Sequence, residues 1–257
     1  MKLMHALLTI AATSVEGQQY VRVSSSKING DALEDSRQRT TGLTTKDMRR
    51  LRKRSWSDDD YIKERNVLDG LYDSFGGNGW YQMEEQDHCR WSKVTCSGGM
   101  ITGLYFSHVG AQGTIPGEIM HLKNLESCWL AENQLTGTVP VEIGTLPHLE
   151  RLYLASNKLT GTIPVEIGQL QPLEWLDLSS NQLTGTIPVK IGHLENLIWL
   201  KLSKNQLTGN IPAEIGNLQY LARLNLSYNQ LTGTIPVEIR NLPQNLEYFN
   251  LDGNQFS

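Results

Sequence analysis

Little in this chain is equipped to transform a substrate. It has three Cys and six His in 257 residues. The His are scattered, without the spacing of a catalytic triad or a metal site. No glycine-rich loop has the pattern that cradles phosphates. Beyond the first 17 residues no stretch is apolar enough to span a bilayer, so no membrane anchor is expected. Positive charge is scarce outside the N-terminal part. The net charge is −4, divided as +6 over residues 1–57, −5 over 58–99 and −5 over 100–257. A mildly acidic body disfavours nucleic acid as a partner. The expectation is no catalytic residue, no metal and no cofactor.

What the chain does have is a period. Asn133, Asn157, Asn181, Asn205 and Asn229 stand 24 residues apart. Each is followed by Leu-Thr-Gly two to four places on and by Pro seven places on. From Leu149 the unit reads Leu-x-x-Leu-x-Leu-x-x-Asn-x-Leu-Thr-Gly-Thr-Ile-Pro-x-x-Ile-Gly-x-Leu. Self-similarity at such a period specifies a solenoid, one coil per repeat. Leu152 and Leu154 alternate with Arg151, Tyr153 and Ala155, the pattern of a short strand with one buried face. Leu149, Leu159, Ile163, Ile167 and Leu170 supply further inward anchors. A single coil cannot bury these groups alone. Stacked coils share one core, with strands about 4.8 Å apart in a parallel sheet. The Asn amide has donors and acceptors enough to satisfy backbone groups in its own coil and the next.

These residues resemble the plant-type leucine-rich repeat over about Ile101 to Ser257, and the five copies from Leu125 to Leu242 are nearly perfect. The resemblance implies a right-handed α/β-type horseshoe, with a parallel concave sheet and a second small sheet formed by the Thr-Gly-x-Ile-Pro stretch. Both ends depart from the pattern. Val109 and Ala111 replace Asn and Leu in the first coil, and Pro243-Gln244-Asn245 lengthen the last by one residue. The array stops in mid-repeat at Gln255-Phe256-Ser257. Such an end exposes apolar surface and strand edges. Either the chain is a truncated product, or a partner or second copy covers that end.

Ahead of the repeats, Met1 to Gly17 has the features of a secretory signal: Lys2, an apolar run from Leu3 to Ala12 and small residues after it. Residues 18–56 read as a disordered basic leader. Its run from Lys46 to Arg54 has three readings: a solvated charge run, a dibasic processing site at Lys53-Arg54, or a translocation signal. For the third, Arg49-Arg50-Leu51-Arg52 resembles the RxLR motif of oomycete effectors. Residues 57–99 read as a cap. A helix is expected from Ser57 to Phe75, with Val67, Leu68, Leu71, Tyr72 and Phe75 on one face. Cys89-Arg-Trp-Ser-Lys-Val-Thr-Cys96 resembles the CxWxGVxC of the plant repeat cap, although Lys93 stands where the family has Gly. The resemblance implies a Cys89–Cys96 disulfide, which suits an oxidising compartment. As zinc ligands the two thiols are poorly spaced. Cys128 takes a Leu position and is expected free and buried.

The concave face is where binding is expected. One column holds Tyr105, Trp129, Tyr153, Asp177, Lys201 and Asn225; its neighbour holds Arg151, Trp175, Trp199 and Arg223. Exposed Trp, Tyr and Arg are the residue types that anchor interfaces. Alternatively the rings stack on one another with no ligand. Asp177 and Lys201 could form a cross-strand ion pair, worth at most about 1 kcal/mol when exposed. Glu118, Glu142, Glu166, Glu214 and Glu238 recur as a solvated outer stripe broken by Lys190. Asn225-Leu226-Ser227 is a glycosylation sequon.

The expected function is secreted, extracellular recognition of a protein or peptide, without catalysis. Two further readings stand beside it: an inhibitor similar to those of cell-wall-degrading polygalacturonases, and a secreted effector acting in a host cell.

Overall fold

The computed structural model describes residues 10–15, 18–23, 58–75, 88–244 and 246–257. The chain divides into two compact units, Met1–Ser55 and Trp56–Ser257. In the first, Ile10–Val15 and Gln18–Val23 pair as antiparallel strands. Disorder was expected from residue 18, and Gln18–Val23 departs from that. Tyr20, Val21 and Val23 are residue types that favour strands. The rest of the basic leader, including Arg49-Arg50-Leu51-Arg52 and Lys53-Arg54, lies outside the described residues.

The second unit is the solenoid. Eight strands form its concave sheet. Val94–Ser97 pairs antiparallel with Met100–Tyr105, and every later pairing is parallel. The register is the repeat itself: Leu104, Cys128, Leu152, Leu176, Leu200 and Leu224 are successive partners, all buried. On the outer side each interior coil makes a short 3-10 turn directly after its Pro, as Val165–Gln169 does after Pro164 at φ −65. Proline presets that φ and gives up no hydrogen bond there. Between wall and ridge, side strands such as Gln230–Gly233 and Gln255–Phe256 form the small second sheets.

The Asn ladder fastens each coil to its neighbour. Asn181 Nδ2 donates to Leu154 O of the preceding coil at 2.9 Å and to Leu178 O of its own at 3.2 Å. Its Oδ1 accepts from Leu159 N at 3.0 Å. Asn133, Asn157, Asn205 and Asn229 repeat these contacts. The residue before each Asn is left-handed, Ser156 at φ 55 and Ser180 at φ 54 among them. That conformation is uncommon for a residue with a Cβ.

The cap helix runs Asp58–Ser74, one residue inside the expected bounds at each end, and buries Val67, Leu68 and Leu71. Cys89 and Cys96 are joined, with S–S 2.08 Å. The last coil is more open than the others. Phe249, in register with buried Leu224, is 44% exposed.

Cys128 is free and buried, and loss of hydration pushes its thiol up to about 12. The folded chain therefore holds this proton over a pH range in which the unfolded chain, with a pKa near 9.0, has released it. Stability from this group is intact below that lower value and declines as pH rises toward about 12, by up to about 1.4 kcal/mol per pH unit. Cys128→Leu should remove that alkaline decline in a pH series of urea titrations. A thiol reagent at pH 8 should label native wild type only at the rate of unfolding.

Candidate functional site: the concave wall

Strand pairing places the expected residues in two adjoining columns. Tyr105, Trp129, Tyr153, Asp177, Lys201 and Asn225 are partners in sequence, as are Arg151, Trp175, Trp199 and Arg223. Each is half-buried. Their ring contacts are continuous. Tyr105 meets Trp129 edge-on at 5.5 Å between centroids, Trp129 meets Tyr153 at 4.9 Å, and Tyr153 crosses to Trp175 in the other column at 5.9 Å. Trp175 and Trp199 then stack at 4.6 Å, 9° from parallel. The rings do stack on one another, and in doing so they line one diagonal path across five strands. Mutual packing fixes their rotamers, so a ligand would meet a pre-ordered surface.

The cations on this wall are engaged. Arg223 lies over Trp199 at 4.4 Å and pairs with Glu247 at 3.0 Å. Lys201 lies over the same ring at 4.9 Å and reaches Asp177 at 3.5 Å. Arg151 pairs with Glu150 at 3.1 Å and Glu174 at 3.5 Å, with its guanidinium 5.8 Å from the Trp175 centroid. Asp177 also has a local task, since its Oδ1 accepts from Ser179 N and Ser179 Oγ at 3.0 and 2.6 Å. Asn225 does the same for Ser227, whose Oγ donates at 2.7 Å. The sequon's serine is thus buried and bonded to its own asparagine. Charge on the wall is balanced in place, and the rings are its distinguishing chemistry.

Sequence reasoning missed a buried polar pair behind the wall. Glu64 of the cap helix and His88 are both inaccessible, with Oε2 and Nε2 3.5 Å apart, and Glu64 Oε2 accepts from Ile101 N at 3.1 Å. The pair ties the cap to the first repeat strand. His88 also lies within 4.8 Å of both sulfurs, but these are bonded to each other and offer no thiolates to a metal.

Residues 124–253, just over half of the chain, match the family model described as a leucine-rich repeat region. The chain belongs to the leucine-rich repeat family. Over 55 residues it is 40% identical to the leucine-rich repeat receptor protein kinase EMS1 of Arabidopsis thaliana, covering 21% of this chain and 5% of that protein. The plant peptide hormone receptor RGFR1, solved in complex with RGF2, is similar over 60% of this chain and 28% of its own, at 34% identity and TM-score 0.57. A plant ice-binding protein is similar over 76% of this chain and 72% of its own, at 29% identity and TM-score 0.69. The repeat chain therefore spans only a small part of the two receptors. Among the described residues no helix is long and apolar enough to cross a membrane.

Proposed function

We propose that this leucine-rich repeat chain is a non-catalytic recognition module, working outside the cell, that binds a protein or peptide on its concave wall. The unbroken path of rings from Tyr105 to Trp199 carries this reading. A peptide as ligand is supported by the peptide hormone receptor among its structural relatives. The Cys89–Cys96 bond supports an oxidising compartment. With Arg151, Lys201 and Arg223 already paired, affinity comes from ring contacts more than from net charge, and moderate salt should change it little.

The test uses peptides selected from a random library on the immobilised full chain. Trp175→Ala combined with Trp199→Ala should weaken them by about 30-fold or more, since a central aromatic anchor contributes about 2 kcal/mol. Binding that survives both changes would remove the concave wall from the reading. Enzymatic deglycosylation reads Asn225 separately, through a mobility shift of the secreted chain.

A second reading has its own support. The structural match to a plant ice-binding protein extends over most of both chains, so this chain is also proposed to adsorb to ice.

A further inference from the structure

We propose, building on that second reading, that the ice-binding surface is the lateral face formed by the Leu-Thr-Gly-Thr segments, and not the aromatic wall. Between buried Leu159 and Ile163, the coil turns Thr160 and Thr162 outward, and the next coil does the same with Thr184 and Thr186. The two columns interleave. Thr138 bridges to Thr160, Thr162 to Thr184 and Thr186 to Thr208 across neighbouring coils. The result is an oblique ribbon of exposed threonines, with coils about 4.8 Å apart, in which Asn210 stands in place of threonine in the coil of Thr208. That interval is comparable to the repeat between equivalent oxygens in ice.

Both columns are held in place by backbone. Thr160 and Thr184 donate their hydroxyl protons to Gly137 O and Gly161 O, each at 3.2 Å, and Thr208 donates to Gly185 O at 3.4 Å. Their remaining lone pairs are left for water. In the other column, the methyls of Thr138, Thr162 and Thr186 press on Gly161, Gly185 and Gly209, where an added Cβ would lie 2.8 to 2.9 Å away. Those glycines, at φ 74 to 75, both permit the turn and make room for the methyls. A fixed array can order its first water layer without spending side-chain entropy at the moment of contact.

Charge separates the two faces. Of the whole chain 19% is charged, but Lys158 is the sole charge in the flanking column it shares with Gln134, Gln182, Gln206 and Gln230. On the concave wall, by contrast, Arg151, Asp177, Lys201 and Arg223 hold ions at the surface. Ions orient nearby water toward themselves and resist being stripped of it, which opposes a lattice-like layer.

The experiment grows ice slowly on a cold finger in a solution of the full chain and measures the fraction of protein incorporated. Wild type should be taken up. Thr160→Lys with Thr184→Lys should lower uptake by about tenfold or more, as expected when hydrated charges must be desolvated. Val165→Lys with Val189→Lys adds the same charge on the outer ridge, at positions 47% and 55% exposed, and should leave uptake unchanged. Circular dichroism confirms folding of each variant. Lys158→Gln reads the same face with the opposite sign and should raise uptake even if the lysine pair does not fold. Exclusion of wild type from ice would overturn the second reading itself. Uptake of wild type with no response to either set of ribbon changes would overturn the face assignment alone.

Discussion

Alanine at Asn181 should cost the array about 3 kcal/mol or more, far beyond a surface change. The side chain spans two coils, donating to Leu154 O and Leu178 O and accepting from Leu159 N. All three of these bonds are buried. Each orphaned buried group costs about 1–3 kcal/mol. Asn181→Asp should be worse than alanine. It retains an acceptor for Leu159 N but turns the donor nitrogen into an oxygen facing carbonyls. Urea denaturation reads the effect as a shift in midpoint. The slope should fall as well if the two halves of the array begin to unfold separately, since repeat proteins are coupled only through neighbouring coils. A midpoint loss equivalent to less than about 1 kcal/mol would show that the ladder is decoration.

The second large effect belongs to Gly192. Its carbon faces the next coil so closely that an added Cβ would collide with Glu214 O and lie 2.6 Å from Glu214 Cβ. Backbone cannot move aside as a side-chain end can. Gly192→Ala should therefore cost about 3 kcal/mol, the upper range for overpacking, and Gly192→Val more. Gly168 and Gly216 make the same approach to Lys190 and Glu238. Met120 and Arg240 occupy this place in the first and last coils, so the requirement belongs to the interior coils. Gly70 is the contrast. It lies in the cap helix with nothing within 4 Å of its Cβ position, and Gly70→Ala should stabilise by about 0.5–1 kcal/mol. Thermal midpoints of the two variants should move in opposite directions.

The solenoid was legible because every coil repeats the same demand. Leucines alternating with polar residues fix which side of a strand is buried, and a constant 24-residue step fixes the register between strands. The Asn role followed from counting donors and acceptors. The columns of the concave wall followed from the same two periods, so Trp175 and Trp199 could be placed together before their stacking was seen. What each cation would touch was not legible. Arg223 pairs with Glu247 in the lengthened last coil, and Lys201 divides itself between Asp177 and Trp199, outcomes that rotamers and strand curvature decide. The Glu64–His88 pair was missed because its members are brought together only when the helix packs on the first strand. The left-handed residues, from His108 to Tyr228, share no residue type that would mark them. The hairpin of Ile10–Val15 and Gln18–Val23 was missed for another reason: the signal pattern and the basic composition around it outweighed two short runs of strand-forming residues.

Hydroxyl-radical footprinting of the full chain with a library-selected peptide bound gives the most direct reading of where recognition occurs. Protection concentrated on Trp129, Tyr153, Trp175 and Trp199, with Tyr220 on the outer side still oxidised at its free rate, is the predicted result. Unchanged oxidation of those rings, with protection on Tyr220 and its neighbours instead, would contradict it.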